Sequence, residues 1–317
     1  MNTRYKIYSD FLKEKYGEKV YKLPINLPGT CPNRDGNVSV KGCTFCDEDG
    51  SGFECLSNDL SVKKQIEINK EFFIKRFKAR KFIVYFQAFT NTYMDFEVFK
   101  KCINEAAIDK DIVGISISTR PDCLPDRYLD FLKTIQEEYN LDIDIELGLQ
   151  TVNYQTLFKV NRGHTLAEYI DAVLQIKKRG FAVVTHIILN LPYDNKLDVI
   201  ENAKILSAIG SDYVKLHSLY IVKGTALGED YNMNKFEMVS LEEYIDRVVT
   251  FIEYLDPKIV IQRIVGKGPQ GNLEFCNWST SWWKIKIMID EALKERDSFQ
   301  GKRFDYLYGS AVNKKGF

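Results

Sequence analysis

Six short runs of nearly unbroken apolar residues, at 21–27, 81–87, 113–119, 143–150, 181–191 and 213–222, constrain this chain more than any other feature. Each has the length of a strand, and continuous apolar character marks strands covered on both faces, as in a parallel sheet between helices. Helical stretches lie between them at 61–78, 95–108, 125–139, 166–179 and 196–209. In the first of these, Val62, Ile66, Phe73 and Phe77 fall on one stripe. Asp95 is placed to cap the second, and Gly180 and Gly210 close the last two. The alternation predicts an α/β fold, a partial (β/α)6 TIM-like barrel with a C-terminal extension, because a closed barrel needs eight such units. The expected division is an N-terminal extension and first strand over 1–28, the barrel over 29–225 and an extension over 226–317. That extension holds a helix at 241–255, a strand at 259–265 and an aromatic tail, and is expected to pack on the barrel.

Charge and hydropathy narrow the function. Lys+Arg and Asp+Glu stand at 44 each, so no net field favours nucleic acid or an anionic membrane, and any basic face is local. The longest apolar run, 181–191, is interrupted by Thr185, His186 and Asn190 and is too short to cross a bilayer. The first residues lack the apolar core of a signal peptide, so a cytoplasmic location without membrane attachment is expected. In that reducing compartment a close group of cysteines points to metal or catalysis before disulfides.

Such a group follows the first strand in a polar loop over 29–53. Cys31-Pro32-Asn33-Arg34-Asp35-Gly36 precedes Lys41-Gly42-Cys43-Thr44-Phe45-Cys46, a C-x11-C-x2-C spacing. Three thiolates on three irons of a cubane leave the fourth iron open to a small ligand. Spacing alone leaves zinc open as well, since Cys55 lies close enough to complete four thiolates, although no second C-x2-C knuckle accompanies it. Cys102, Cys123 and Cys276 are scattered and read as unrelated buried cysteines.

The motif, its place after the first strand and the aromatic Phe45 before the third cysteine resemble the radical S-adenosylmethionine superfamily. The wording CPNRDG…GCTFC is similar to that of the YhcC/YtqA-like subfamily. Glu146-Leu147-Gly148-Leu149-Gln150-Thr151 with Asn161-Arg162-Gly163-His164-Thr165 resembles the radical domain of the elongator catalytic subunit, a tRNA-modifying enzyme. Ser118-Thr119-Arg120-Pro121-Asp122, Gly180-Phe181…Leu191-Pro192 and Val214-Lys215-Leu216-His217…Lys223-Gly224-Thr225 match the same relative in order.

The resemblance implies a [4Fe–4S] cluster on Cys31, Cys43 and Cys46, with S-adenosylmethionine as the second cofactor. It implies reductive cleavage of that cofactor and hydrogen abstraction from a substrate by the resulting deoxyadenosyl radical. It further implies tRNA as partner, a wobble-uridine side chain passing from carboxymethylaminomethyl to aminomethyl, and an electron donor such as flavodoxin or ferredoxin. Two alternatives stand beside it: radical chemistry on a small metabolite, porphyrin or peptide, and a zinc-stabilised binding module without catalysis.

Ligands in parallel barrels sit at the C-terminal strand ends, where Gln87, Thr119, Arg120, Gln150 and Asn190 fall. S-adenosylmethionine carries a carboxylate, an amine, a ribose and an adenine. Arg120 or Arg162 suits the carboxylate, and Gln150 the ribose or carboxylate. By resemblance Phe45 lies against the cofactor, and Gln87 with Thr90-Asn91-Thr92 follows the strand where relatives hold its amine. This chain lacks their Gly-Gly-Glu there, and has Asn190-Leu191-Pro192-Tyr193 where they carry Gly-x-Pro-Gly. The candidates to face substrate are His217 on the sixth run, with Tyr220 and Lys223. His164 reads as a helix-start residue, His186 as a satisfied core histidine, and Trp278, Trp282 and Trp283 as packing.

Overall fold

The computed structural model describes residues 3–47, 50, 52, 54–269 and 271–315. The loop reading at Glu48, Asp49, Ser51 and Phe53, and the end of the extension at Gly316 and Phe317, lie outside them. In chain order the elements are α1 (Tyr8–Tyr16), β1 (Val20–Ile25), α2 (Val62–Phe77), β2 (Lys81–Phe86), α3 (Phe96–Ala107), β3 (Ile112–Thr119), α4 (Asp126–Tyr139) and β4 (Asp142–Gln150). Then come α5 (Tyr154–Lys159), α6 (Leu166–Lys178), β5 (Ala182–Ile188), α7 (Lys196–Ile209), β6 (Tyr213–His217) and β7 (Ile221–Val222). The chain continues through α8 (Ala226–Asn232), α9 (Leu241–Tyr254), β8 (Val260–Arg263), β9 (Leu273–Phe275) and α10 (Trp282–Glu295). One seven-stranded sheet runs β1-β2-β3-β4-β5-β6-β8, the order of a partial (β/α) barrel. The fold class is the α/β one expected. None of the described helices is long and apolar enough to cross a membrane.

By contacts the chain divides into two compact units. One comprises Ser9–Leu149 and Phe158–Val184. Within it β1, β2, β3 and β4 pair in parallel. One face of these strands is buried apolar surface, with Phe82, Phe86, Ile115, Ile117, Ile145 and Leu147 at or near zero exposure. The other face departs from the apolar expectation. Lys22 pairs with Glu146 and donates to Ser116 Oγ at 3.1 Å, while Ser116 donates to Glu146 Oε1 at 2.6 Å. Burial pushes the neighbouring Asp144 carboxyl up to about 7, against the pull of the Lys22 charge. A sheet face can carry charge only where partners meet it, and here they do.

Local signals set the helix ends. Asp95 accepts from the backbone of Glu97 and Val98 at 2.9 and 3.1 Å, and Gly210 closes α7 at φ 73°. Of the α2 stripe only Val62 and Ile66 are buried; Phe73 and Phe77 instead lie against Tyr21, each with its centroid 5.3 Å away, Phe73 tilted and the half-exposed Phe77 stacked.

The other unit comprises Met1–Tyr8, Gln150–Leu157 and Thr185–Phe317. Here two expectations need correction. The sixth run is not one strand: β6 ends at His217, and β7 pairs antiparallel with β9 in a separate two-stranded sheet. The run stays apolar through residue 222 because both pieces are buried, but their partners differ. The strand assigned to the extension instead joins the main sheet, β8 pairing in parallel with β6. Trp278 is packing as expected, its Nε1 donating to Val239 O at 2.7 Å. Trp282 and Trp283 are not, being 45% and 50% exposed at the start of α10.

Candidate functional site

The long cysteine spacing is explained by a loop that folds back on itself. Arg34 N donates to Cys31 O at 2.8 Å, Val38 N to Pro32 O at 2.7 Å and Gly42 N to Asn33 O at 2.6 Å. The turn bearing Cys31 therefore lies against the Cys43–Cys46 element, itself closed by Cys46 N donating to Cys43 O at 3.0 Å. Side chains then reach the sulfurs. Asn33 Nδ2 lies 3.5 Å from Cys43 Sγ, Arg162 Nη1 3.4 Å from the same sulfur, and Arg34 Nη1 3.9 Å from Cys46 Sγ. Burial pushes the Cys46 thiol up to about 12, and the charges of Cys43 and Cys31 add to it while Arg34 opposes.

The segment after α5 clamps this loop. Asn161, at φ 51°, donates from Nδ2 to Ser39 Oγ at 3.0 Å and Gly42 O at 2.7 Å, while its carbonyl accepts from Asn33 Nδ2 at 2.6 Å. Arg162 donates from Nε and Nη2 to Gly148 O at 3.2 and 2.7 Å. Arg120 grips Asp122 through two parallel bonds of 2.8 and 2.7 Å and donates from Nη1 to Arg162 O at 2.8 Å. Burial works to raise the Asp122 carboxyl, but the Arg120 bond and charge outweigh it and hold it below the usual range. His164 lies beside Gly148 O at 3.1 Å; burial and then the charges of Arg162 and Arg120 push its imidazole down to about 3, so it is neutral.

Gly163 shows how tightly the clamp closes. At φ 74°, a Cβ there would stand 2.6 Å from Val38, 2.7 Å from Asn33 Oδ1 and 3.3 Å from Arg120 Nη2. Gly163→Ala is therefore expected to displace Asn33 from Cys43 and lower the iron retained after anaerobic reconstitution, read as iron per chain. Full iron retention in that variant would contradict the clamp.

The remaining expected residues each have their own local setting. Phe45 is half-buried one residue before Cys46. Gln87 N donates to Ile25 O at 3.2 Å at the end of β2. Asn91 uses Nδ2 on Phe86 O at 3.0 Å and Ser118 O at 2.9 Å; Thr92 Oγ1 lies 2.5 Å from Thr119 Oγ1, and Thr90, just before them, is buried. This stretch braces the ends of β2 and β3. In the other unit, Gln150 ends β4 at φ 78°, a backbone cost that a non-glycine residue carries where geometry demands it. Asn190 Oδ1 accepts from Leu219 N at 2.7 Å, while its Nδ2 is buried with no hydrogen-bond partner. His217 ends β6, Tyr220 is half-buried in the segment after it, and Lys223 is exposed just beyond β7. The rings of His217 and His186 stack at 5.0 Å, with His217 Nε2 3.2 Å from His186 Nδ1; His186 is therefore satisfied as expected, but half-buried rather than in the core.

Sequence reasoning passed over Asn33, Arg34 and Asp122, although all three lie in motifs it quoted. It also set Cys123 aside. Burial raises that thiol to about 12, Asp122 adds, Arg120 opposes, and Cys31 is near enough to contribute. Cys55 answers to burial and to Glu54.

The donor set suits an iron–sulfur cluster. Thiolate sulfurs accept N–H bonds, and Cys43 meets two such donors in a buried setting, with Asn33 Oδ1 and Thr44 Oγ1 nearby in the loop buried and unpartnered. Among the described residues no three His, Cys, Asp or Glu side chains converge on one ion. A cubane takes each thiolate on a separate iron, so its ligands stand apart.

Known proteins give the family. The model of the radical SAM superfamily matches residues 26–206, and that of the radical SAM C-terminal domain matches 211–295. The chain belongs to the radical SAM superfamily, whose members work with a [4Fe–4S] cluster and S-adenosylmethionine. It is 36% identical to the protein YtqA of Bacillus subtilis over 96% of this chain and 94% of that one. It is 28% identical to Elongator complex protein 3 of Schizosaccharomyces pombe over 48% of this chain and 28% of that protein. Among solved structures, the archaeal Methanocaldococcus infernus Elp3 with an N-terminal deletion superimposes with a TM-score of 0.69 at 15% identity, over 89% of this chain and 64% of that one.

Proposed function

We propose that Cys31, Cys43 and Cys46 hold the [4Fe–4S] cluster and that the enzyme acts on a tRNA wobble uridine, taking a carboxymethylaminomethyl side chain to aminomethyl. The folded-back loop supports the first part: it lays the turn bearing Cys31 against the Cys43–Cys46 element and aims N–H groups of Asn33, Arg162 and Arg34 at the sulfurs of Cys43 and Cys46. When bound, the cluster supplies one electron to S-adenosylmethionine and so yields the hydrogen-abstracting radical. The chain's own residues orient and insulate. Asn33 and Arg162 hold the Cys43 side chain and offset its negative charge, while Asp122 keeps Arg120 braced against the Arg162 carbonyl. Gln150, with Asn190 through its buried Nδ2, supplies polar contacts for S-adenosylmethionine at strand ends; Phe45, Gln87 and the Thr90-Asn91-Thr92 brace complete the proposed set. An external one-electron donor, of the flavodoxin or ferredoxin kind, is required.

The likeness of residues 146–151 and 161–165 to the elongator relative supports tRNA as substrate. Cells lacking this protein are expected to accumulate carboxymethylaminomethyluridine in their tRNA, and cluster-loaded enzyme with S-adenosylmethionine and a reductant to convert that nucleoside. Unchanged tRNA nucleosides would remove the substrate assignment.

A further inference from the structure

We infer that a cavity walled by Tyr231, Phe236, Phe275 and Trp278 binds a small organic cation, an alkylated ammonium group. Its volume is about 510 Å³, within the range of small-molecule sites. It lies wholly within the unit that includes Thr185–Phe317, and it shares no residue with the proposed cluster, S-adenosylmethionine or substrate sets. The site is therefore independent of the tRNA reading. The four aromatic residues come from α8, the segment after it, the end of β9 and the turn that follows. In the order Phe236, Tyr231, Phe275, Trp278, successive centroids lie 5.8, 6.4 and 5.3 Å apart. Their planes tilt by 45°, 58° and 89° in turn, so the row bends around the space instead of lying flat. All four are only half-buried, which leaves ring surface open to the cavity.

Electrostatics select the sign of the ligand. Among the described residues, Glu237 is the one charged side chain in the lining, and no cation pairs with it. Lys235, two residues earlier, is taken by Asp230 at 2.6 Å. Asn232, also in the lining, donates to Glu274 Oε1 at 2.9 Å, which brings a second carboxylate up beside the wall. Ring faces carry negative potential and attract a cation within about 6 Å. They accept no strong hydrogen bonds, so an ammonium wrapped in alkyl groups loses least on leaving water for them. A phosphate-bearing nucleotide would meet like charge at the two carboxylates. The wall is also held against backbone strain. Asn277, Trp278 and Ser279 all stand in the left-handed region, at φ 48°, 52° and 55°, which L residues avoid. Ser218 Oγ fastens the turn by donating to Asn277 Oδ1 at 2.5 Å, and Asn277 Nδ2 donates to Gly266 O at 2.9 Å. Trp278 Nε1 donates to Val239 O at 2.7 Å, and the buried Tyr244 backs its ring with a centroid 4.9 Å away. Strain so firmly secured is kept where it aims a side chain, and here it sets the indole in the cavity wall.

Calorimetric titration of the cluster-loaded protein with choline is expected to show one saturable site per chain. Dimethylbutanol, the uncharged carbon analogue of choline, is expected to bind roughly tenfold more weakly, the contribution of a desolvated cation over aromatic rings. Phe236→Leu should weaken choline by a similar factor, and Phe236→Tyr should keep its binding, which separates loss of the ring from loss of the fold. Glu237→Gln, at an exposed position where folding is not at stake, should weaken choline by roughly three- to fivefold. A short peptide carrying trimethyllysine distinguishes the source of the cation. Tighter binding of the peptide than of choline assigns a protein-borne group, equal or weaker binding a free metabolite, and either supports the site. No saturable heat with millimolar choline, equal binding of dimethylbutanol, or choline binding that survives both Phe236→Leu and Glu237→Gln would overturn it. So would binding of uridine monophosphate in place of choline.

Discussion

Cys43→Ala is expected to yield protein that retains no [4Fe–4S] cluster after anaerobic reconstitution and releases deoxyadenosine only at the background of iron-free protein. Cys43 is buried, 6% exposed, and its sulfur is where the Asn33 and Arg162 N–H groups meet. On the proposed assignment, removing it would leave two thiolates for a cubane that needs three, and it strips two buried donors of their acceptor. Iron and sulfide content, the visible absorbance of the cluster and chromatographic deoxyadenosine release measure the loss. Cys55→Ala, outside the loop contacts, is expected to keep all of them. Full deoxyadenosine release from Cys43→Ala would break the assignment.

Asp122→Asn is expected to destabilise the fold by about 3–5 kcal/mol in urea unfolding, the usual result of removing one partner from a buried ion pair. The side chains of Arg120 and Asp122 are 2% and 13% exposed, so the arginine left behind has little water to turn to. It also loses the support that aims Arg162 at Cys43. The pH dependence has a definite sign. Because Arg120 holds the folded-state carboxyl below its unfolded value, the pair contributes fully above the unfolded pKa, near ~4, and its contribution fades as pH falls through the lower folded value. Asp122→Asn should therefore flatten the acid limb of the stability profile. A cost under about 1 kcal/mol, in the range of an exposed pair, would show that the brace is not structural.

The cysteine motif, the α/β alternation and the helix caps were open to sequence reasoning because each is written in adjacent residues. Asp95 precedes its helix and Gly210 follows one, and both positions follow from backbone chemistry alone. The break in the sixth run was hidden because Leu219, Ile221 and Val222 remain buried while their sheet partner changes to β9. The place of β8 was hidden for a related reason: α8 and α9 separate it from β6, and adjacency in a sheet is a long-range property. The sulfur donors depend on a loop closing over 31–43 and on Asn161 reaching back across the unit to Gly42. The pairing of His186 with His217 depends on which faces of two strands agree, which periodicity within either strand does not determine.

The most direct measurement is electron paramagnetic resonance of the dithionite-reduced, reconstituted protein before and after S-adenosylmethionine is added. Four irons per cluster and a spectrum that changes on addition are the expected result, since the proposed set of three cysteines would leave one iron open to the small molecule. One zinc per chain without iron or sulfide would contradict the account. So would a cluster spectrum indifferent to S-adenosylmethionine until Cys123 or Cys55 is replaced by Ala, because a fourth thiolate would then be closing the corner.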